Sequence, residues 1–240
     1  EKGARRRADR YIIKDPGVLR AFTQIAFLPN QSNILTASAD GFVRAWNIAG
    51  SSPLWEVTSS GQYDHPEVVN PVRSMAVTKN GSRFVIGFAD GLVETWDLVS
   101  QTREAARALG MAPIKRAVIS PHDRLLALQG SEDYVEILDM ADGLQNARID
   151  GLLPRGYPIS SDNAMISIIP VNRLKELELY SLSAASPEML FTFYDFPVFG
   201  LVNYSPDNKI LTAYENNIFS YWSTVSGREL KESLPRRANL

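Results

Sequence analysis

Two stretches decide the fold: DGFVRAWNI (Asp40 to Ile48) and DGLVETWDL (Asp90 to Leu98), which share an Asp-Gly pair, an apolar residue and a tryptophan at matching places. Three more segments fall into line with them: EDYVEILDM (Glu132 to Met140), RLKELELYSL (Arg173 to Leu182) and NNIFSYWSTV (Asn216 to Val225). Their key residues, Trp46, Trp96, Leu138, Tyr180 and Trp222, are spaced by 50, 42, 42 and 42. A sustained period of this length marks a repeat architecture.

Within each period the order of signals is the same. A turn such as FLPNQ, VTKNG, ISPHD or YSPDN precedes a β-rich run (NILTASAD, RFVIGFAD, RLLALQGSED, AMISII, KILTAYEN), and the key segment follows. A fourth β-capable run closes each unit: PLWEVT, TREAARAL, LQNARI, EMLFTFYD and GRELKES. TREAARAL is helical by propensity, so its assignment as a strand rests on repeat phase alone. Four strands per period make an antiparallel sheet that cannot bury both faces by itself. Packing such sheets around an axis solves this, so the expected fold is all-β, a β-propeller of four-stranded antiparallel blades.

The blades are expected at about 20–60, 70–110, 113–150, 153–195 and 197–234, after a basic N-terminal segment 1–19 and before a tail 235–240. The segment DRYIIKD (Asp9 to Asp15) reads as a strand, yet GRELKES already supplies the fifth blade with its outer strand. One strand is left over. This favours a five-blade arc of a larger six- or seven-bladed propeller, completed by sequence outside this chain or by another chain. A closed five-blade ring is the alternative. An open arc has exposed edges that invite oligomerisation or a partner.

Over residues 20–234 the chain resembles the WD-repeat β-propeller family. The resemblance is strongest in AFLPNQSNILTASADGFVRAWNI and AVTKNGSRFVIGFADGLVETWDL, and Trp96-Asp97 is the one literal Trp-Asp dipeptide at a key position. The resemblance implies a hydrogen-bonded blade network of His, Ser or Thr, Asp and Trp. Matched positions are Thr36, Asp40 and Trp46 in the first repeat and Asp90 and Trp96 in the second, where Ile86 replaces the hydroxyl. The fifth has Thr212, Asn216 and Trp222. No repeat has the full set, so inter-strand packing is expected to carry the stability.

Composition narrows the chemistry. The 240 residues contain no cysteine and two histidines, His65 and His122. Disulfides, thiolate metal sites and a cysteine nucleophile are therefore excluded. By repeat phase His65 falls between blades and His122 in a turn at the opposite end, so the two do not share a site. The Asp-Gly pairs at 40–41 and 90–91 suit hairpin turns better than calcium ligation. No phosphate-cradling glycine motif occurs. The expectation is no enzyme, no cofactor and no metal.

Net charge is −2, but residues 1–10 carry +3, the last ten +2, and the body about −7. An acidic body argues against general nucleic-acid binding, leaving weak RNA or anionic-surface binding through residues 1–10 as a secondary reading. The most apolar stretch, Met189 to Tyr204, is short and broken by Asp195 and Pro197, so it spans no membrane. With no cysteine and no secretory signal, an intracellular setting, cytoplasmic or nuclear, is expected.

Two features stand out as candidate partner sites. One is the insertion Ser59 to Pro71, with Tyr63, Asp64, His65 and Glu67. The other comes from the starts of the innermost strands, where Thr23, Arg73, Lys115, Arg155 and Gly200 take equivalent places. The resemblance implies that this place lies near the channel entrance, so Arg73, Lys115 and Arg155 would form a basic arc suited to an acidic or phosphorylated segment. The function read from the sequence is a non-catalytic protein–protein interaction scaffold within a larger protein or complex. The competing reading is a hydrolase or small-ligand binder using the channel.

Overall fold

Each Asp-Gly pair reverses the chain because glycine accepts the positive φ that the turn needs: Gly41 sits at 86° and Gly91 at 90°. The aspartates tie the turns from inside, Asp40 Oδ1 accepting the Phe42 N–H at 3.2 Å and Asp90 Oδ1 the Leu92 N–H at 2.9 Å. In the computed structural model, residues 21–29, 32–49, 52–58, 70–141, 145–183, 186–196, 201–215 and 218–230 are described. All their regular elements are strands.

Blade 1 consists of β1 (Phe22–Phe27), β2 (Asn33–Ser38), β3 (Phe42–Asn47) and β4 (Pro53–Thr58). Blade 2 has β5 (Val72–Val77), β6 (Arg83–Phe88), β7 (Leu92–Asp97) and β8 (Arg103–Ala108). Blade 3 has β9 (Arg116–Ile119), β10 (Leu125–Gln129), β11 (Tyr134–Asp139) and β12 (Gln145–Asp150). Each is an antiparallel meander of four strands in sequence order. Tertiary context overrides helix propensity in β8, where Leu92 to Trp96 pair with Ala108 to Arg103.

Blades 4 and 5 depart from this pattern. β13 (Arg155–Gly156) lies beside β17 (Leu201–Tyr204) in parallel, whereas blade 4 proper is β14 (Met165–Ile168), β15 (Leu177–Ser181) and β16 (Glu188–Phe193). Only the end of the expected inner strand, PRGYPI, reaches blade 4, through an Ile159–Ile166 bridge. Pro154 and Pro158 bracket the segment and lack N–H groups, and Gly156 turns it at a φ of 88°. The strand is thereby split between two blades. Blade 5 continues with β18 (Ile210–Glu215) and β19 (Ile218–Ser223), and Glu229 bridges to Trp222 where the fourth strand was expected.

The core lies between blades. One cluster joins Leu35 and Val43 of blade 1 to Phe84 and Trp96 of blade 2, with Trp55, Phe84 and Trp96 stacked at 6.1 Å intervals. Val85 and Val93 meet Leu126, Leu128 and Leu138 at the next boundary. Ile137 meets Ile166 and Ile168, and Leu179 meets Leu211 and Trp222 at the last two. The key residue of blades 2 to 5 thus wedges against the preceding blade. Of these, Trp96, Leu138 and Trp222 are buried, each contributing about 1.5–3 kcal/mol. Among the described residues, β1 packs on β5 and β5 on β9, so the inner strands of blades 1 to 3 are neighbours.

A second device links blades through the turns after the inner strands. Thr78, Ser120, Ser160 and Ser205 each accept a backbone N–H five residues on, from Arg83, Leu125, Met165 and Ile210, at 2.9–3.0 Å. The fourth residue of each turn, Gly81, Asp123, Asn163 or Asn208, has positive φ. In two of them the side chain reaches the preceding blade: Asp123 accepts the Lys79 and Asn80 N–H groups at 2.6 and 2.9 Å, and Asn208 the Ser161 N–H at 3.0 Å. Asn163 Oδ1 is buried without a partner. The corresponding turn of blade 3 offers Pro121, which has no N–H.

Carboxylates in these turns make the fold acid-sensitive. Burial pushes Asp162 upward, but hydrogen bonds from the Ser160 hydroxyl and Ala164 N–H outweigh it and hold the group below the usual carboxylate range. The Ser205 hydroxyl and the Lys209 N–H likewise lower Asp207. A depressed folded pKa means the unfolded chain binds more protons in acid. The stabilisation is complete above the unfolded value of about 4 and is lost as pH falls through the folded values. Denaturation midpoints should be flat from about pH 6 to 5 and decline below about pH 4. Asp162→Asn with Asp207→Asn should flatten that decline, and an unchanged slope would contradict it.

Candidate protein-interaction site

The inner strands β1, β5 and β9 lie side by side, and Arg73 and Lys115 stand at the N-terminal ends of β5 and β9. Arg73 occupies a bulge between Val72 and Ser74, outside the regular ladder, and is exposed. Thr23 occupies the same kind of bulge in blade 1, its hydroxyl donating to the Ala37 carbonyl at 3.2 Å. A bulge re-aims a side chain away from the pleat, which is how the repeat presents this position. Lys115 directly precedes β9, its N–H donating to the Gln129 carbonyl at 2.9 Å, and its side chain is exposed. Arg155 is exposed in β13 and is drawn toward blade 5 by the pairing with Leu201.

Arg116, not singled out from the sequence, adds a fourth cation. Its guanidinium donates to the carbonyls of Leu153 at 2.8 Å, Pro154, and Gly156 at 3.3 Å, tying blade 3 to the segment that carries Arg155. Burial, and then the charge of Arg155, lower its pKa to about 10. The signal was the Lys115-Arg116 pair, in which alternation sends neighbouring side chains opposite ways.

A cavity of about 500 Å³ opens at the other end of the inner strands, bordered by Val77, Ile119, Tyr157 and Tyr204 and by the inter-blade turns at Lys79 and Asn208. Blades 2 to 5 all reach it. Tyr204 is half-buried, with its hydroxyl 2.6 Å from Ser167 Oγ, and its burial raises its pKa. His122 is exposed in a turn of this end. Among the described residues no group of three His, Asp or Glu is arranged to hold a metal ion.

The blade network differs from the expected one. Trp46 Nε1 donates to Thr36 Oγ1 at 2.8 Å, and Asp40 binds Arg44 and the Ser38 hydroxyl. Trp96 Nε1 instead donates to Glu94 Oε2 at 2.9 Å, and Arg103 donates to the other oxygen at 2.8 Å. Asp90 serves its own turn. Thr212 requires a correction, since it pairs opposite Tyr221 and donates to the Asn203 carbonyl at 3.3 Å, on the face away from Trp222. The reason is register. Ile34 faces Trp46 twelve residues on, whereas Leu211 faces Trp222 after eleven, and one residue switches the face. Asn216 lies outside the described residues.

The recurring polar position is two residues before the key residue: Arg44, Glu94, Glu136 and Glu178, the last three separated by 42. All are buried. Arg44 pairs with Glu56, and Glu178 accepts the Tyr180 hydroxyl and Arg173. Glu136 stands before Leu138, which has no donor, and its Oε2 is buried without a partner. The insertion residues Tyr63, Asp64, His65 and Glu67, and also Gly200, lie outside the described residues.

A family model of the WD domain, G-beta repeat, matches residues 17–47. The sheets that follow repeat the antiparallel blade, with four strands in blades 2 and 3 and three in blade 4. The fold and this local match are those of a WD-repeat β-propeller. A Striatin homolog of Dictyostelium discoideum is 26% identical over 145 residues, 56% of this chain and 17% of the relative. A solved chain in the "Crystal Structure of Mitotic Checkpoint Complex" matches with a TM-score of 0.59 and 18% identity, over 81% of this chain and 60% of that one. The chain therefore spans less than two thirds of each. No helix among its described residues is long and apolar enough to cross a membrane.

Proposed function

We propose that the chain is a non-catalytic interaction scaffold whose channel entrance captures an acidic or phosphorylated segment of a partner protein. The reading is carried by exposed cations at the starts of three successive strands of the repeat, Arg73, Lys115 and Arg155, the third of them drawn toward blade 5. Arg116 beside Arg155 sharpens it, because two guanidiniums held close together are relieved by an anion. That the solved structural relative is part of a complex supports a protein partner. With a body near −7, a cationic entrance also selects against other contacts on the same surface.

The test is Arg73→Glu with Lys115→Glu, both exposed and so compatible with folding. Capture of a partner, or of a diphosphorylated Ser-rich acidic probe peptide, is expected to weaken by about 100-fold, since two attractive contacts become repulsive. Binding that is unchanged would overturn the proposal. A probe lacking phosphates and acidic residues should bind neither protein.

A further inference from the structure

The outer edge of each blade exposes backbone that another chain can pair with, and most blades block it. Pro53 and Glu56 interrupt β4, Arg103, Glu104 and Arg107 interrupt β8, and Arg148 and Asp150 interrupt β12. β16 reads EMLFTF and has no charge between Glu188 and Asp195, and no proline. Phe191 and Phe193 anchor it, Phe193 lying 5.4 Å from the Trp222 ring, while Met189, Leu190 and Tyr194 stay exposed. It pairs with β15 on one side and, among the described residues, with no strand on the other. Unblocked edges of this length are templates for strand addition.

Charge says what kind of strand fits. Glu188 and Asp195 bracket the edge and are exposed. Met189 also borders a groove of about 770 Å³ between blades 3 and 4, rimmed by Glu132, Asp133 and Asp150. Arg173 in that groove is taken by Glu176 and Glu178 at 2.7 and 2.6 Å, and Arg148 lies 3.4 Å over the Tyr134 ring. The bracketing and rim carboxylates thus outnumber the cations nearby. A second copy of β16 laid antiparallel would bring Glu188 toward Asp195 of its mate, which like charge opposes.

We propose that the outer edge of β16 accepts an extended segment of a partner protein as an added strand of blade 4, a segment that is β-branched or apolar in the middle and carries Lys or Arg at both ends. This surface is separate from the channel entrance. Backbone pairing supplies the affinity, and the flanking carboxylates set direction and partner choice.

The test uses the 240-residue chain and a labelled probe peptide, KKVTVTVKK. Binding is expected, with raised protection of the amides of residues 189–194 against hydrogen exchange. It should fall by about tenfold or more when the probe lysines are replaced by glutamates, when alternate probe amides are N-methylated, or in Leu190→Lys. No binding up to about 1 mM would overturn the proposal, and so would equal binding of the N-methylated probe, which would mark charge attraction alone. The Arg73→Glu, Lys115→Glu protein should bind the probe as the parent does, so failure at the entrance and failure at the edge are told apart.

Discussion

Glu94→Ala is expected to destabilise the protein by about 3–5 kcal/mol, the range for breaking a buried charge pair from one side. Glu94 has no solvent exposure and serves two donors, the Trp96 indole at 2.9 Å and the Arg103 guanidinium at 2.8 Å. Removing the carboxylate leaves both without their acceptor at the boundary of blades 1 and 2, where Trp96 stacks on Phe84. In a chain of this size the loss lowers the melting temperature on the order of 10 °C. Glu94→Gln keeps an oxygen for the indole and should cost less. The same repeat position in blade 3 behaves oppositely. Glu136→Leu removes a buried oxygen that has no partner and should be close to neutral or stabilising. Thermal melts of the three variants decide it, and equal losses at positions 94 and 136 would refute the assignment.

Gly156→Ala is the second large effect. An added Cβ would stand 2.3 Å from the Val202 carbonyl oxygen and 2.9 Å from its nitrogen, and φ is +88°. Backbone cannot yield as a flexible side chain can, so relief requires giving up the β13–β17 pairing and the Tyr157 N–H bond to Val202 O at 2.8 Å. Strain and lost pairing together cost about 3 kcal/mol. Arg155 is the adjacent residue, and the Arg116 bond to the Gly156 carbonyl at 3.3 Å shifts with it. Capture of the acidic probe at the entrance should weaken alongside stability. Rapid hydrogen exchange at Tyr157 with retained exchange protection in blade 2 would show that the damage is local. A variant with parental stability and exchange would refute the account.

Much of the architecture is legible in the repeat. Strand order, hairpin turns and even β8 follow from the period of 42, because each unit meets the same neighbours in the same way. The polar network was legible only in part. Glu94, Glu136 and Glu178 share that period, but charged residues in strands read as solvent-facing until the next blade covers them. Thr212 shows the limit of counting along the chain, since a turn one residue shorter moves a hydroxyl to the other face.

By itself the amino-acid sequence determined the blade, its four strands and the positions that repeat, since alternation and turn chemistry act over a few residues. Only the tertiary structure decided which blade an inner strand joins, which buried carboxylate finds a donor, and which outer edge stays open. Those outcomes depend on contacts between blades, where a proline without an N–H at 158, a glycine at 156 or a leucine in place of tryptophan at 138 changes what the neighbouring blade can offer.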